Sequence, residues 1–258
     1  LNMADERVQN FVVRTICDVI ARSNADYVKW DFNRSMTDCY GKGIPSGEYF
    51  HRYMLGYYRV VCKITKRFPF VLFEGCAGGG GRLDLGSLCF FSQYWTSDNT
   101  DARERIAIQS GTSYGYPQTV MGAHVSACPN HQTGASNSPE ARFNVACEGL
   151  LGYELDLTKL SEEERAEIAS QISFYKENRK LLQFGDHYRL QGKNTAGFIT
   201  VSKDRNAAIA VVNLLEWHPG DPAPCIRLKG LNPAANYEVS VRGSEWVRCI
   251  GGDVLMQA

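Results

Sequence analysis

Asp26-Tyr27-Val28-Lys29-Trp30-Asp31 and Phe70-Val71-Leu72-Phe73-Glu74 are two short β-prone segments, and each runs into polar or glycine-rich residues at its C-terminal end. What flanks them decides the fold. Ahead of the first, Val8, Val12, Ile16, Val19 and Ile20 recur at helical spacing. Between the two, Phe50, Met54, Tyr57, Val61 and Ile64 mark one face of a second helix, which Pro69 closes. The second strand is apolar enough to be expected buried on both sides.

The rhythm continues outward. The turn Gly75-Cys76-Ala77-Gly78-Gly79-Gly80-Gly81-Arg82 leads by a shorter link to Phe90-Phe91-Ser92-Gln93-Tyr94-Trp95 and then to the polar cluster Thr96-Ser97-Asp98-Asn99-Thr100-Asp101. Two later units repeat the scheme around Ala123-His124-Val125-Ser126 and Gly152-Tyr153-Glu154-Leu155. A helix then opens at the capping box Ser161-Glu162-Glu163-Glu164, with Ile168, Ile172, Tyr175 and Leu182 as its core face. Strands alternating with helices imply parallel pairing, and polar residues just after each strand are where a (β/α)8 barrel keeps its chemistry. The expected class is therefore α/β, a partial (β/α)8 TIM barrel of about the last five βα units over residues 1–190. From Gly197 the texture changes to short alternating runs, Phe198–Val201, Ala208–Val212 and Tyr237–Val241, separated by turns such as Leu231-Asn232-Pro233. Residues 191–258 are read as an antiparallel β-domain. A complete barrel needs eight strands and about 250 residues of its own, so the chain is expected to lack the first barrel strands and part of the β-domain.

Bulk composition narrows the partners. With 28 basic and 28 acidic side chains, no global field draws the chain to nucleic acid or to an acidic membrane surface. A hydrophobic content of 44% over 258 residues is ample for a buried core. No run of 18 apolar residues and no basic-then-apolar leader occurs. The nine cysteines, at 17, 39, 62, 76, 89, 128, 147, 225 and 249, are odd in number and mostly set among apolar residues. They read as reduced, buried thiols in a reducing compartment, the cytoplasm.

Asp31 and Asp98 stand out because each closely follows a strand and an aromatic residue. In a parallel barrel the strand ends open onto one mouth, so side chains 67 positions apart can face one substrate. Glycoside hydrolysis needs such a pair: one carboxyl protonates the leaving oxygen while the other attacks or activates water. Trp95, beside Asp98, offers a face on which a sugar can stack. On residue type alone, either acid would more commonly cap a helix or join a surface ion pair.

Across nearly its whole length the chain resembles glycoside hydrolase family 36, the bacterial-type α-galactosidases. The likeness is carried by Lys-Trp-Asp-x-Asn-Arg at 29–34, Glu-Gly-Cys-Ala-Gly-Gly-Gly-Gly-Arg at 74–82 and Trp-Thr-Ser-Asp-Asn-Thr-Asp at 95–101, in that order. The resemblance implies that Asp31 is the nucleophile and Asp98 the acid/base of a retaining α-galactosidase acting on terminal α-1,6-galactose. It also implies that Lys29, Asn33, Cys76 and Gly79 line the galactose pocket, that no cofactor is used, and that the protein is a homo-oligomer, with a tetramer among the forms. The expected partners are galactose-containing oligosaccharides of the raffinose and melibiose type. Lys29 and Asn33 flank Asp31 at two-residue spacing and share its side of an extended strand. A galactosyltransferase of the raffinose or stachyose synthase kind and a non-catalytic carbohydrate-binding fragment are the alternatives. Family members are longer, and the parts of the sugar site that their earlier barrel strands supply have no counterpart in this sequence.

Other motifs read differently. The glycine run lacks the Lys-Ser/Thr of a phosphate loop, so it is either a tight turn or a place where backbone approaches a sugar. Cys128-x-x-His131 near His124 has no second ligand pair and is read as loop packing, not a zinc site. Asp101 is read as the cap of a helix starting at Ala102. Arg82 is read as pairing with a carboxylate near the pocket or as a surface residue. Trp217 and Trp246 are read as core of the β-domain.

Overall fold

The computed structural model describes residues 1–37 and 40–257, so Cys39 lies outside the described residues. The chain divides into two compact units, residues 1–98 and 99–258.

The first unit runs α1 (Glu6–Ser23), β1 (Tyr27–Asp31), α2 (Tyr49–Arg67), β2 (Leu72–Cys76) and β3 (Gln93–Trp95). The Asp5 carboxylate caps α1 by accepting from Arg7 N, and the helix stops where Asn24 turns left-handed at φ 50°. β1 pairs in parallel with β2, and β2 with β3. Helices α1 and α2 pack with the sheet in one apolar cluster that includes Val12, Ile20, Tyr53, Tyr57, Phe73 and Tyr94. On α2, Val60, Val61 and Ile64 are wholly buried, each burial favouring the fold by roughly 1.5–3 kcal/mol. The buried stripe of α2 begins at Tyr49 and Tyr53, so Phe50, expected on the core face, is instead exposed. The same offset leaves Val19 of α1 in solvent. β2 starts two residues later than the apolar run suggested, and Phe70 and Leu72 are exposed. Pro69 ends the helix but does not start the strand, because pairing with β1 begins at Tyr27↔Leu72. β2 and β3 are joined by a single 3₁₀ turn, Ser87–Cys89, in place of a crossover helix.

The second unit runs α3 (Ala102–Thr112), β4 (Met121–Ser126), α4 (Pro139–Ala146), β5 (Leu150–Glu154) and α5 (Glu162–Phe184). β4 and β5 are parallel, from Gly122↔Leu150 to Ser126↔Glu154. The capping box of α5 forms as its residues require, with Ser161 Oγ accepting from Glu164 N and Glu164 Oε2 from Ser161 N. Within α5, Ile168 and Leu182 are buried along with Gln171. Asp101 caps α3 by accepting from Arg103 N. β6 (Asp186–Gln191), β7 (Thr195–Val201) and β8 (Ala208–Leu214) then form an antiparallel sheet, and β9 (Asn236–Ser240) pairs antiparallel with β10 (Val247–Gly251) before the short helix α6 (Gly252–Gln257). Parallel βα units followed by antiparallel strands are thus the observed architecture. Two of the buried charged groups are matched: Arg105 donates to the Gly122 carbonyl at 3.0 Å, and Glu148 meets both Gln109 and His187.

Two expectations fail on burial. Trp217 and Trp246 are 58% and 39% exposed, because both lie outside the strands whose alternation builds the core. All eight described cysteines are free, but Cys89, Cys128, Cys225 and Cys249 are exposed and only Cys17, Cys76 and Cys147 fully buried. No helix among the described residues is long and apolar enough to cross a membrane.

Candidate active site

Alternation along β1 separates two sets of side chains. Val28 and Trp30 join the apolar cluster under the helices. Tyr27, Lys29 and Asp31 project from the other face and are exposed. Parallel register then sets Glu74 opposite Lys29, Cys76 opposite Asp31, and Gln93 opposite Glu74. Trp95, two residues past Gln93, falls on the same face, and the Lys29 ammonium stands 5.3 Å from its ring centroid. Since the strands are parallel, Asp31 at the end of β1 and Asp98 just past the end of β3 emerge at one end of the sheet.

The loop after β2 borders both acids. At its start, the buried Cys76 thiol is pushed up in pKa, chiefly by burial; the Gly79 N–H opposes this, Asp31's charge adds to it, Lys29's charge opposes it, and the thiol's own hydrogen bond to Asp31 adds to it. Cys76 therefore carries its proton at neutral pH, on the strand position opposite Asp31. At the far end, Gly79 holds φ +73°, and a β-carbon there would lie 2.5 Å from Ser97 Cα and 2.9 Å from Asp98 N. Glycine is required on both counts. Gly80 N donates to the Thr96 carbonyl at 3.1 Å, tying the loop to the segment that carries Asp98.

Asn33 is held by the same loop, its Oδ1 accepting from Gly78 N at 2.6 Å. Arg82 does not take either expected role. Its guanidinium lies 4.2 Å from the Phe32 ring centroid, Nε donating to Phe32 O at 3.1 Å and Nη2 to Arg34 O at 2.7 Å. It splints the segment just after Asp31. Lys29, Asp31, Asn33, Cys76, Gly79, Trp95 and Asp98 all fall in the first unit, along three strand ends and one loop.

Sequence reasoning missed Tyr27, Glu74 and Gln93. Glu74 is 3% exposed; its Oε2 accepts from Tyr27 Oη and from Gln93 Nε2 at 2.9 Å, while Lys29 Nζ lies 3.5 Å from Oε1. Burial first, then the hydrogen bond to Glu74 and its charge, push the Tyr27 hydroxyl up in pKa, so it stays a donor. Two-residue alternation puts Glu74 on the same strand face as Cys76, but nothing local marked it as buried.

The melibiase family model matches residues 1–185, and the model of the glycosyl hydrolase family 36 C-terminal domain matches residues 195–258. The chain is 46% identical over 264 aligned residues to alpha-galactosidase AgaA of Geobacillus stearothermophilus, covering 100% of this chain and 36% of that protein. It is 41% identical to alpha-galactosidase Mel36A of Lactobacillus acidophilus, covering 99% of this chain and 35% of that protein. The crystal structure of the G. stearothermophilus enzyme superposes with a TM-score of 0.92 at 46% identity, over 99% of this chain and 36% of that one. A variant of that enzyme solved in complex with raffinose gives a TM-score of 0.93 at 45% identity, over 100% of this chain and 36% of that one. The chain thus spans about a third of the length of the curated relatives it matches.

Proposed function

Because the chain belongs to glycoside hydrolase family 36, we propose that the protein carrying it is a retaining α-galactosidase that releases terminal α-1,6-linked galactose from raffinose- and melibiose-type oligosaccharides. In this reading an Asp31 oxygen attacks the anomeric carbon as the bond to the leaving oxygen breaks, and Asp98 gives that oxygen its proton. Asp98 then takes a proton from water, the water oxygen bonds to the anomeric carbon, and the ester to Asp31 breaks to release galactose. Lys29, Asn33, Cys76 and Gly79 line the galactose, and Trp95 supplies an aromatic face.

The observation that carries this reading is the loop Cys76–Gly79, which begins opposite Asp31 in the β1/β2 register and at Gly79 lies against the backbone of Asp98. One turn thereby borders the segments that carry both carboxylates. The raffinose complex of the relative named above supports the substrate class. We assign residues 1–190 to about five of the eight units of a (β/α)8 barrel and 191–258 to part of a C-terminal β-domain. Eight free thiols support a cytoplasmic location, and a homo-oligomeric state rests on the family likeness alone.

The test is turnover of an aryl α-galactoside by the full-length protein, with the anomer formed first followed by NMR. Retention requires α-galactose to appear first. Initial β-galactose, or no hydrolysis at all, overturns the reading.

A further inference from the structure

Glu74 is a buried carboxylate whose two oxygens have unequal surroundings. Oε2 accepts from Tyr27 Oη and Gln93 Nε2, and Gln93 also donates to Tyr27 Oη at 2.7 Å, so the acceptor side is fixed by two donors that brace each other. Oε1 is shut off from solvent and accepts no hydrogen bond among the described residues; what it meets is the Lys29 ammonium at 3.5 Å. A buried charge of this kind persists where a counter-charge compensates it. The Lys29 side chain keeps 39% of its surface exposed. Asp31, two residues on, is a second carboxylate on the same face of β1.

From this we propose that Glu74 is a positioning residue, one that holds the Lys29 ammonium toward the bound sugar and away from Asp31. The inference rests on the reading of Asp31 as nucleophile. An ammonium paired directly with Asp31 would neutralise the attacking carboxylate and lower its basicity. Turned to Glu74, it leaves Asp31 without an ammonium partner from Lys29 and beside Cys76, its register neighbour on β2. The braced pair Tyr27 and Gln93 keeps the Glu74 oxygens in place, and the Trp95 ring gives the ammonium a second resting surface at 5.3 Å.

A merely structural Glu74, tying β1, β2 and β3 together, makes a different prediction, and a double-mutant cycle in the full-length protein separates the two. On an aryl α-galactoside, E74Q is expected to lower kcat/KM about tenfold, mostly in kcat, by letting Lys29 swing onto Asp31. K29M is expected to cost more. The double variant is expected to be no worse than K29M, and better if relief of the orphaned buried carboxylate is felt. Y27F, which loosens Glu74 without changing charge, provides the same cycle with a smaller loss should E74Q fail to fold. Losses that multiply in both cycles, with unchanged KM-against-kcat pattern, overturn the assignment of Glu74 while leaving the galactosidase reading intact. A wild-type protein without turnover removes that reading and this inference with it.

Discussion

Gly79 lies so close to Asp98 that a β-carbon at position 79 would come within 2.9 Å of the Asp98 amide nitrogen. The contact is backbone against backbone, so no side-chain rotation relieves it. Combined with φ +73° at Gly79, it makes even a methyl group at this position both sterically and conformationally costly. G79A should destabilise the fold by roughly 1–3 kcal/mol and displace Asp98, with a loss of activity well beyond what the stability change explains. Thermal melting and kcat/KM on one preparation check this; wild-type activity in G79A would mean that the loop does not set Asp98.

The two aspartates should fail differently. D31G is expected to abolish hydrolysis even of activated aryl galactosides, since the proposed mechanism routes the galactosyl ester through Asp31. D98N should impair melibiose far more than a dinitrophenyl galactoside, whose phenolate leaves without protonation. Equal losses on the two substrates would count against Asp98 as the acid. In the complete site the carboxyl groups should stand about 5 to 5.5 Å apart.

Cys76 offers a test of both charge and selectivity. Its pKa is raised, principally by burial, so the reactive thiolate is scarce at neutral pH and accumulates only as pH rises above the ordinary thiol range. Iodoacetamide should therefore label exposed Cys89 and Cys249 before Cys76 at pH 7, with the difference narrowing in alkali. Because the thiol lines the expected sugar pocket, C76A should improve turnover of N-acetylgalactosaminides relative to galactosides. An unchanged ratio would place selectivity elsewhere.

Asn33 can be separated into a loop-holding and a sugar-facing role. Its Oδ1 accepts the Gly78 N–H at 2.6 Å, and N33D keeps an acceptor there whereas N33A does not. Loss of that bond should cost about 1 kcal/mol in N33A, with N33D melting near wild type. If both variants melt alike, the hydrogen bond contributes nothing to loop stability.

The sequence by itself determined the order of elements and the positions of the three motifs on which the proposed site is built. The helical and two-residue periodicities, the Ser161 capping box, the Asp101 cap and the three motifs around Asp31, Cys76 and Asp98 are local patterns, each legible within a few residues. Tertiary structure decided what these patterns meet. That Lys29 faces Glu74, that Arg82 grips the carbonyls of Phe32 and Arg34, and that Gly79 rests on Asp98 are consequences of strand register and loop closure. So are the exposure of Trp217, Trp246 and half of the described cysteines. The physical reason is that a periodicity states which face of its own element a residue occupies, while register and burial belong to pairs of segments far apart in the chain. Glu74 has no local signature that distinguishes it from a solvent-facing glutamate, and it becomes a buried counter-charge because β2 pairs between β1 and β3.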